Sequence, residues 1–140
     1  MDDPRIAIWN VLHDGEITAV AGDGTTTVTL FVSIPYLRRR IRPLGDSFVL
    51  TLSGVRQLQF RDFSGGVTSL SAELERTAPE ILSTDLRQMP VTVATTAGEL
   101  VADFDDDQIS LDSGETVSYR AIDKISEEYW NEWSAKHKKV

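Results

Sequence analysis

Cysteine is absent from the 140 residues, which excludes a disulfide framework, a thiolate zinc site and a cysteine nucleophile. Histidine is almost absent, with only His13 and His137. A metal centre built on imidazole needs more of them, and a serine triad needs a base oriented by an acid, whereas neighbours such as His13 and Asp14 point apart along the chain. No apolar run approaches the roughly 18 residues required to span a bilayer. The first residues, "MDDPRIAIWNVL", carry two acids where a secretory signal needs bases. A water-soluble cytoplasmic protein with no membrane association is expected. Basic residues are also in short supply: 14 Lys and Arg stand against 22 Asp and Glu, a formal net charge of −8. Nucleic-acid binding depends on cations that displace counterions from phosphates, so that class is disfavoured. GxGxxG, P-loop and nucleophile-elbow patterns are missing too, and "GDG" at 22–24 reads as a turn. No cofactor is expected.

What is present is a pattern of strands. In "GEITAVAGDGTTTVTLFVSI", Ile17 and Val20 lie before the Gly22-Asp23-Gly24 turn and Val28, Leu30 and Val32 alternate after it, which predicts a hairpin. "SFVLTLSGVRQLQF" alternates through Phe48, Leu50 and Leu52, and Gly54 inside the run predicts a bulge in one long bent strand that continues to Phe60. "VTVATTAGELVADF" predicts a second hairpin turning at Ala97-Gly98, with Ile109 and Leu111 as a third member of that meander. Helical signals are fewer. Ser118 is a candidate N-cap for "SYRAIDKISEEYWNEWSAKHK", in which Tyr119, Ile122, Tyr129 and Trp133 share a face and Ser126 permits close approach. On this pattern Trp133 is the buried tryptophan and Trp130 the partly covered one. Ser71 and Thr77 are candidate starts of short helices, the second through a capping-box spacing to Glu80. The length, the balanced composition and the lack of a linker predict a single domain over 1–140. Its class is α+β, a mostly antiparallel sheet of about six strands with the C-terminal amphipathic helix packed on one face.

Against the acidic background one stretch stands out, "IPYLRRRIRP" at 34–43, with Arg38, Arg39, Arg40 and Arg42. Leu37 and Ile41 are four apart, Ser33 can cap, Pro35 suits a first turn and Pro43 ends it, so one or two helical turns are expected. Arg38 and Arg42 then project together into water with Arg39 beside them. An extended segment would instead align Arg38, Arg40 and Arg42. Lys136, Lys138 and Lys139 form a second basic group at the end of the chain.

The acids give less. "DFDDDQISLDSGE" places Asp103, Asp105 and Asp107 at the first, third and fifth positions of a calcium loop. The glycine position holds Gln108 and the bidentate glutamate position holds Gly114. Asp105 to Asp107 therefore read as a solvated turn, and no metal site is expected. Carboxylates are numerous enough for an acid/base pair, but nothing singles one out.

"VLHDGEITAV", continued through "TVTLFVSI", resembles the first strands of small uncharacterised bacterial proteins, some of them grouped with immunity proteins of polymorphic toxin systems. A sheet followed by an aromatic-rich "EEYWNEWSAK" helix is similar to such bacterial domains as a whole. The resemblance implies inhibition of a toxin by direct contact, without catalysis, and transfers no binding residues. Taken together, the residues predict a non-enzymatic protein-interaction module whose contact surface is Arg38, Arg39, Arg40 and Arg42 and whose partner is an acidic protein. The alternative is a small-ligand-binding protein or carboxylate-dependent enzyme working in the sheet's concavity. A deep pocket with convergent carboxylates favours the alternative; an arginine-rimmed surface favours the first reading. No pattern specifies the oligomeric state.

Overall fold

Alternating apolar and polar residues build strands, and the computed structural model, which describes residues 4–84 and 89–137, contains ten of them among those residues. In chain order the elements are α1 (Pro4–Val11), β1 (Glu16–Ala21), β2 (Thr27–Ser33), α2 (Pro35–Ile41), β3 (Ser47–Ser53), β4 (Gln57–Asp62), β5 (Val67–Thr68), α3 (Leu70–Leu74), β6 (Ile81–Thr84), β7 (Val91–Thr95), β8 (Gly98–Asp103), β9 (Asp106–Leu111), β10 (Thr116–Val117) and α4 (Tyr119–His137). The strands form two five-stranded antiparallel sheets, in the orders β1-β2-β3-β9-β10 and β5-β4-β8-β7-β6. This is the α+β, antiparallel architecture expected, with ten strands in two sheets where the sequence pattern predicts about six in one.

The first sheet has a regular centre. β2 and β3 pair without a slip from Thr27 opposite Ser53 to Ser33 opposite Ser47, so Val28, Leu30 and Val32 face Leu52, Leu50 and Phe48 on one side. All six are fully buried. β9 continues the same face, with Leu111 beside Phe48 and Ile109 beside Leu50. From the second sheet Phe60, Val91, Val93, Leu100 and Ala102 join them in one contiguous core. Glu16 and Glu80 form a bridge between β1 and the residue before β6, and this links the two sheets at one edge.

Two expectations from the pattern change here. The run from Ser47 to Phe60 is two strands in different sheets, and the glycine is the crossing point: Gly54 has φ +66°, and a Cβ there would lie 2.3 Å from the Asp105 carboxylate. The chain returns beside this point, from β8 to β9 across Phe104 and Asp105, so β9 pairs with β3 and not with β8. Arg56 holds the corner, with ion pairs to Asp103 at 2.9 Å and to Asp105 at 2.5 Å. Arg5 of α1 donates to the Phe104 and Asp105 carbonyls on the same corner. The solvated turn expected over Asp105 to Asp107 is thus shorter: Asp105 is the exposed bend, paired with Arg56, and Asp106 and Asp107 belong to β9.

Helix ends follow capping chemistry with one shift of position. Ala121 N–H donates to Ser118 Oγ at 3.1 Å, which caps α4 as expected. The cap of α3 is Ser69, not Ser71; the Ser71 N–H and hydroxyl donate instead to Asp23 of the β1–β2 turn. No helix starts at Thr77, because the bridge of Glu80 to Glu16 and the bonds between Ile81 and Gly15 draw that segment into extended pairing. In α4, Ile122 and Ser126 are buried, as the stripe requires, with Tyr119 and Ile125 packed against the core. Trp133 is 44 % exposed and Trp130 is the half-buried one, which reverses the expected order. The reason is reach: beyond Ser126 the helix runs along α1 and α2 and then past the edge of the core.

Trp9 of α1 is completely buried. Trp9→Ala is therefore expected to cost about 3–5 kcal/mol in urea melts, and Trp133→Ala less than about 1 kcal/mol. Equal losses would mean that the end of α4 is part of the core.

Candidate functional site

α2 forms because Pro35 occupies its first turn and Leu37 and Ile41 supply an inward face. Its N-cap is Ile34, with no side-chain cap bond, so Ser33 does not serve as expected. Seven residues of helix then distribute the four arginines to four different environments.

Arg38 is the correction that matters most. It points inward and is 1 % exposed. Its Nε donates to Asp112 Oδ1 at 2.8 Å, Nη2 lies 2.7 Å from the same oxygen, and Nη1 donates to the Arg42 carbonyl at 3.1 Å. The second oxygen of Asp112 accepts from the Asp46 and Ser47 backbone N–H groups at 3.0 and 3.2 Å. Gly45 passes so close to this pair, at φ +106°, that a Cβ would lie 2.6 Å from the carboxylate and 2.7 Å from the guanidinium. Partial burial pushes the Asp112 carboxyl up, but the Asp46 N–H, the Arg38 guanidinium and the Ser47 N–H outweigh it, and the net shift is downward. An inward arginine is exceptional for a helix whose other side meets water, and the fixed charge on Asp112 is what permits it.

The other three arginines are exposed. Arg42 donates to Glu115 at 2.8 Å and to the Ile41 carbonyl at 2.9 Å. Arg40 turns the other way, to α4, where it forms an ion pair with Glu132 and lies 5.1 Å from the centre of the Tyr129 ring. Arg39 donates to the Gly45 carbonyl at 3.2 Å and has no carboxylate partner among the described residues. Of the second basic group, Lys136 lies on α4, and Lys138 and Lys139 fall outside the described residues. The expected patch of four is therefore two exposed guanidiniums, Arg39 and Arg42, on one side of α2, with Arg40 on the side facing α4.

Between Arg42 and β3 sits a residue that the charge pattern conceals. Leu44 is 83 % exposed, the largest exposure among the exposed large apolar residues described. It lines an open groove of about 380 Å³ together with Arg38, Arg42, Pro43, Ser113 and Glu115. The loop that carries it is fixed at its far end by the Asp112 bonds to Asp46 and Ser47.

On the α4 side, aromatic rings accumulate. Tyr36 stacks on Tyr129 at 4.4 Å, both meet Trp130 edge-on at 6.3 and 5.1 Å, and His13 stacks on Trp130 at 5.3 Å. Trp133 meets Trp130 at 5.8 Å and stacks on His137 at 4.2 Å. His13 and Asp14 do converge, at 3.8 Å, because Asp14 adopts φ +70°. The Tyr36 hydroxyl donates weakly to Asp14 at 3.4 Å, and burial, then the Asp14 charge, raise its ionisation above the ordinary phenol range.

The pair makes a sharp stability test. Asp112→Asn leaves the Arg38 guanidinium, 1 % exposed, without its counterion and is expected to cost roughly 3–5 kcal/mol. Because the folded-state ionisation of Asp112 is depressed, its contribution is fully present above the ordinary carboxyl range and is lost as pH falls through the folded value. The stability gap between wild type and Asp112→Asn in urea melts should stay constant near neutrality and narrow below about pH 4. A gap that widens on acidification would contradict the assignment.

No family model, curated protein or solved structure matches this chain.

Proposed function

We propose that the chain is a non-enzymatic protein-interaction module of the cytoplasm that engages an acidic protein partner through the α2–β3 loop. The observation that carries this reading is Leu44, 83 % exposed two residues after Arg42 and next to Gly45, whose carbonyl Arg39 holds, on a loop tied down by Asp112. An apolar side chain held in water by a fixed backbone has already lost the freedom that binding would otherwise cost. Arginines beside such an anchor supply planar, bidentate recognition of carboxylates. Elsewhere the molecule is acidic, with a net charge of −8, so it repels polyanions in general while the loop attracts an acidic patch of the right shape. In its immunity-like form, the partner is a toxin blocked by direct contact, and the chain performs no chemistry. Nucleic acid and membrane play no part in this reading.

Arg39→Glu with Arg42→Glu tests it, since neither side chain is buried and circular dichroism and melting temperature should stay nearly unchanged. Binding of a partner recovered from the native host should weaken at least about tenfold, and Leu44→Asp should act in the same direction. Raising the salt should weaken the wild-type complex. If both variants fold and keep every partner at wild-type affinity, the loop is ordinary surface.

A further inference from the structure

The last two turns of α4 have little cover among the described residues: Tyr36 and His13 reach only as far as Tyr129 and Trp130, and Arg40 pairs with Glu132. Ser126 is its last buried residue, Tyr129 and Trp130 are half-buried, and residues 131–137 are exposed throughout. Two helical turns thus run past the core, carrying Trp133 at 44 % exposure with His137 stacked on it. A helical segment gains most of its stability from packing an apolar face, and this one displays Trp133, whose ring contacts among the described residues are with Trp130 and His137 of its own helix. Charge also changes sign along it: Glu127, Glu128 and Glu132 come first, Lys136 and His137 last, and Lys138 and Lys139 follow in sequence.

We propose that this face binds a second copy of the same chain, with the two α4 helices antiparallel about a two-fold axis near Trp133. The charge order selects that occupant. A partner of one sign would be opposed by one end of the helix, whereas a copy running the other way sets acidic turns beside basic ones at both ends. A two-fold axis across antiparallel helices brings like flanks together, and Glu132 and Lys136, four apart, share a flank. Lys136 of each copy then lies beside Glu132 of the other, which Arg40 already holds within its own chain. The two Trp133 rings meet at the axis, in the central position where aromatic anchors contribute most to an interface. The net charge of −8 opposes association at long range, and at physiological salt that repulsion is largely screened beyond about 8 Å.

The test uses the full chain. Sedimentation equilibrium should show a concentration-dependent dimer that strengthens with moderate salt, the reverse of the response expected for an acidic partner at the α2–β3 loop. Trp133→Glu should be monomeric with an unchanged circular dichroism spectrum, Lys136→Glu should weaken dimerisation about threefold or more, and Arg39→Glu with Arg42→Glu should leave the mass unchanged. The absence of cysteine allows a direct geometric reading. Ser134→Cys should oxidise to a disulfide-linked dimer much faster than Phe63→Cys, which sits on the exposed turn after β4. A wild-type chain still monomeric at about 1 mM overturns the proposal. So does a dimer that survives Trp133→Glu, or equal cross-linking at positions 134 and 63.

Discussion

The ion pair of the buried Arg38 with the part-exposed Asp112 is the constraint on which this end of the molecule depends. One guanidinium holds Asp112 and the Arg42 carbonyl, and Asp112 in turn holds the backbone of Asp46 and Ser47. The pair therefore joins four pieces of chain: the middle of α2, its C-terminal end, the start of β3 and the end of β9. Coulomb attraction in a partly desolvated site and bonds to both carboxylate oxygens offset the cost of taking the charges from water. Rotation of α2 follows from it. With Arg38 committed inward beside Leu37, Arg40 falls on the α4 side and Arg39 on the loop side, while Arg42, the extended residue that ends the helix, turns out to Glu115. The surface around Leu44 and the aromatic surface of α4 thus lie on different sides of α2.

A similar economy appears where the chain changes sheets. Two crossings lie side by side, and the Arg56 N–H donates to the Asp103 carbonyl while its guanidinium grips Asp103 and Asp105. Asp105 N–H reaches back to the Ser53 carbonyl. Carboxylates that resemble a cation site in sequence are thus used to fasten a corner, and the cation is an arginine from the other crossing. The opposite edge is closed by backbone bonds alone, between Gly15, Ile17, Pro79 and Ile81. Two short sheets fastened in this way at both ends of their contact leave the α1–α2–α4 side outside either fastening.

What could be read from the sequence was local, and what could not was partnership. Alternation at Val28, Leu30 and Val32 and at Phe48, Leu50 and Leu52 marks strands whatever lies beside them, so the first hairpin and β3 were legible. The pairing of β9 with β3 was not, because period-two patterning says which face is buried and nothing about the neighbour. Helix α1 has its own signals in the sequence, Pro4 at its start and Ile8, Trp9 and Leu12 at helical spacing. The helix of α2 was legible from Pro35, Leu37, Ile41 and Pro43. The fate of Arg38 was not, since its partner Asp112 is 74 residues away. Periodicity placed Trp133 on the buried stripe correctly in angle and wrongly in depth, because a helical wheel carries no information about where the core ends.

Arginine arithmetic also explains why a basic stretch in an acidic protein need not be a basic surface. Each guanidinium of "RRRIR" has a distinct use: Arg38 is internal, Arg40 braces α2 against Glu132 and Tyr129, Arg42 reaches Glu115, and Arg39 holds the Gly45 carbonyl without a carboxylate among the described residues. The field of the loop is therefore weaker than four charges would make it, and its long-range pull on a polyanion is small. At contact distance the balance differs. An exposed pair such as Arg42 and Glu115 has little net energy in water and can exchange partners at low cost, whereas the Arg38 pair cannot. In the proposed reading, Arg39 and Arg42 exchange water or Glu115 for a partner carboxylate that arrives together with an apolar seat for Leu44.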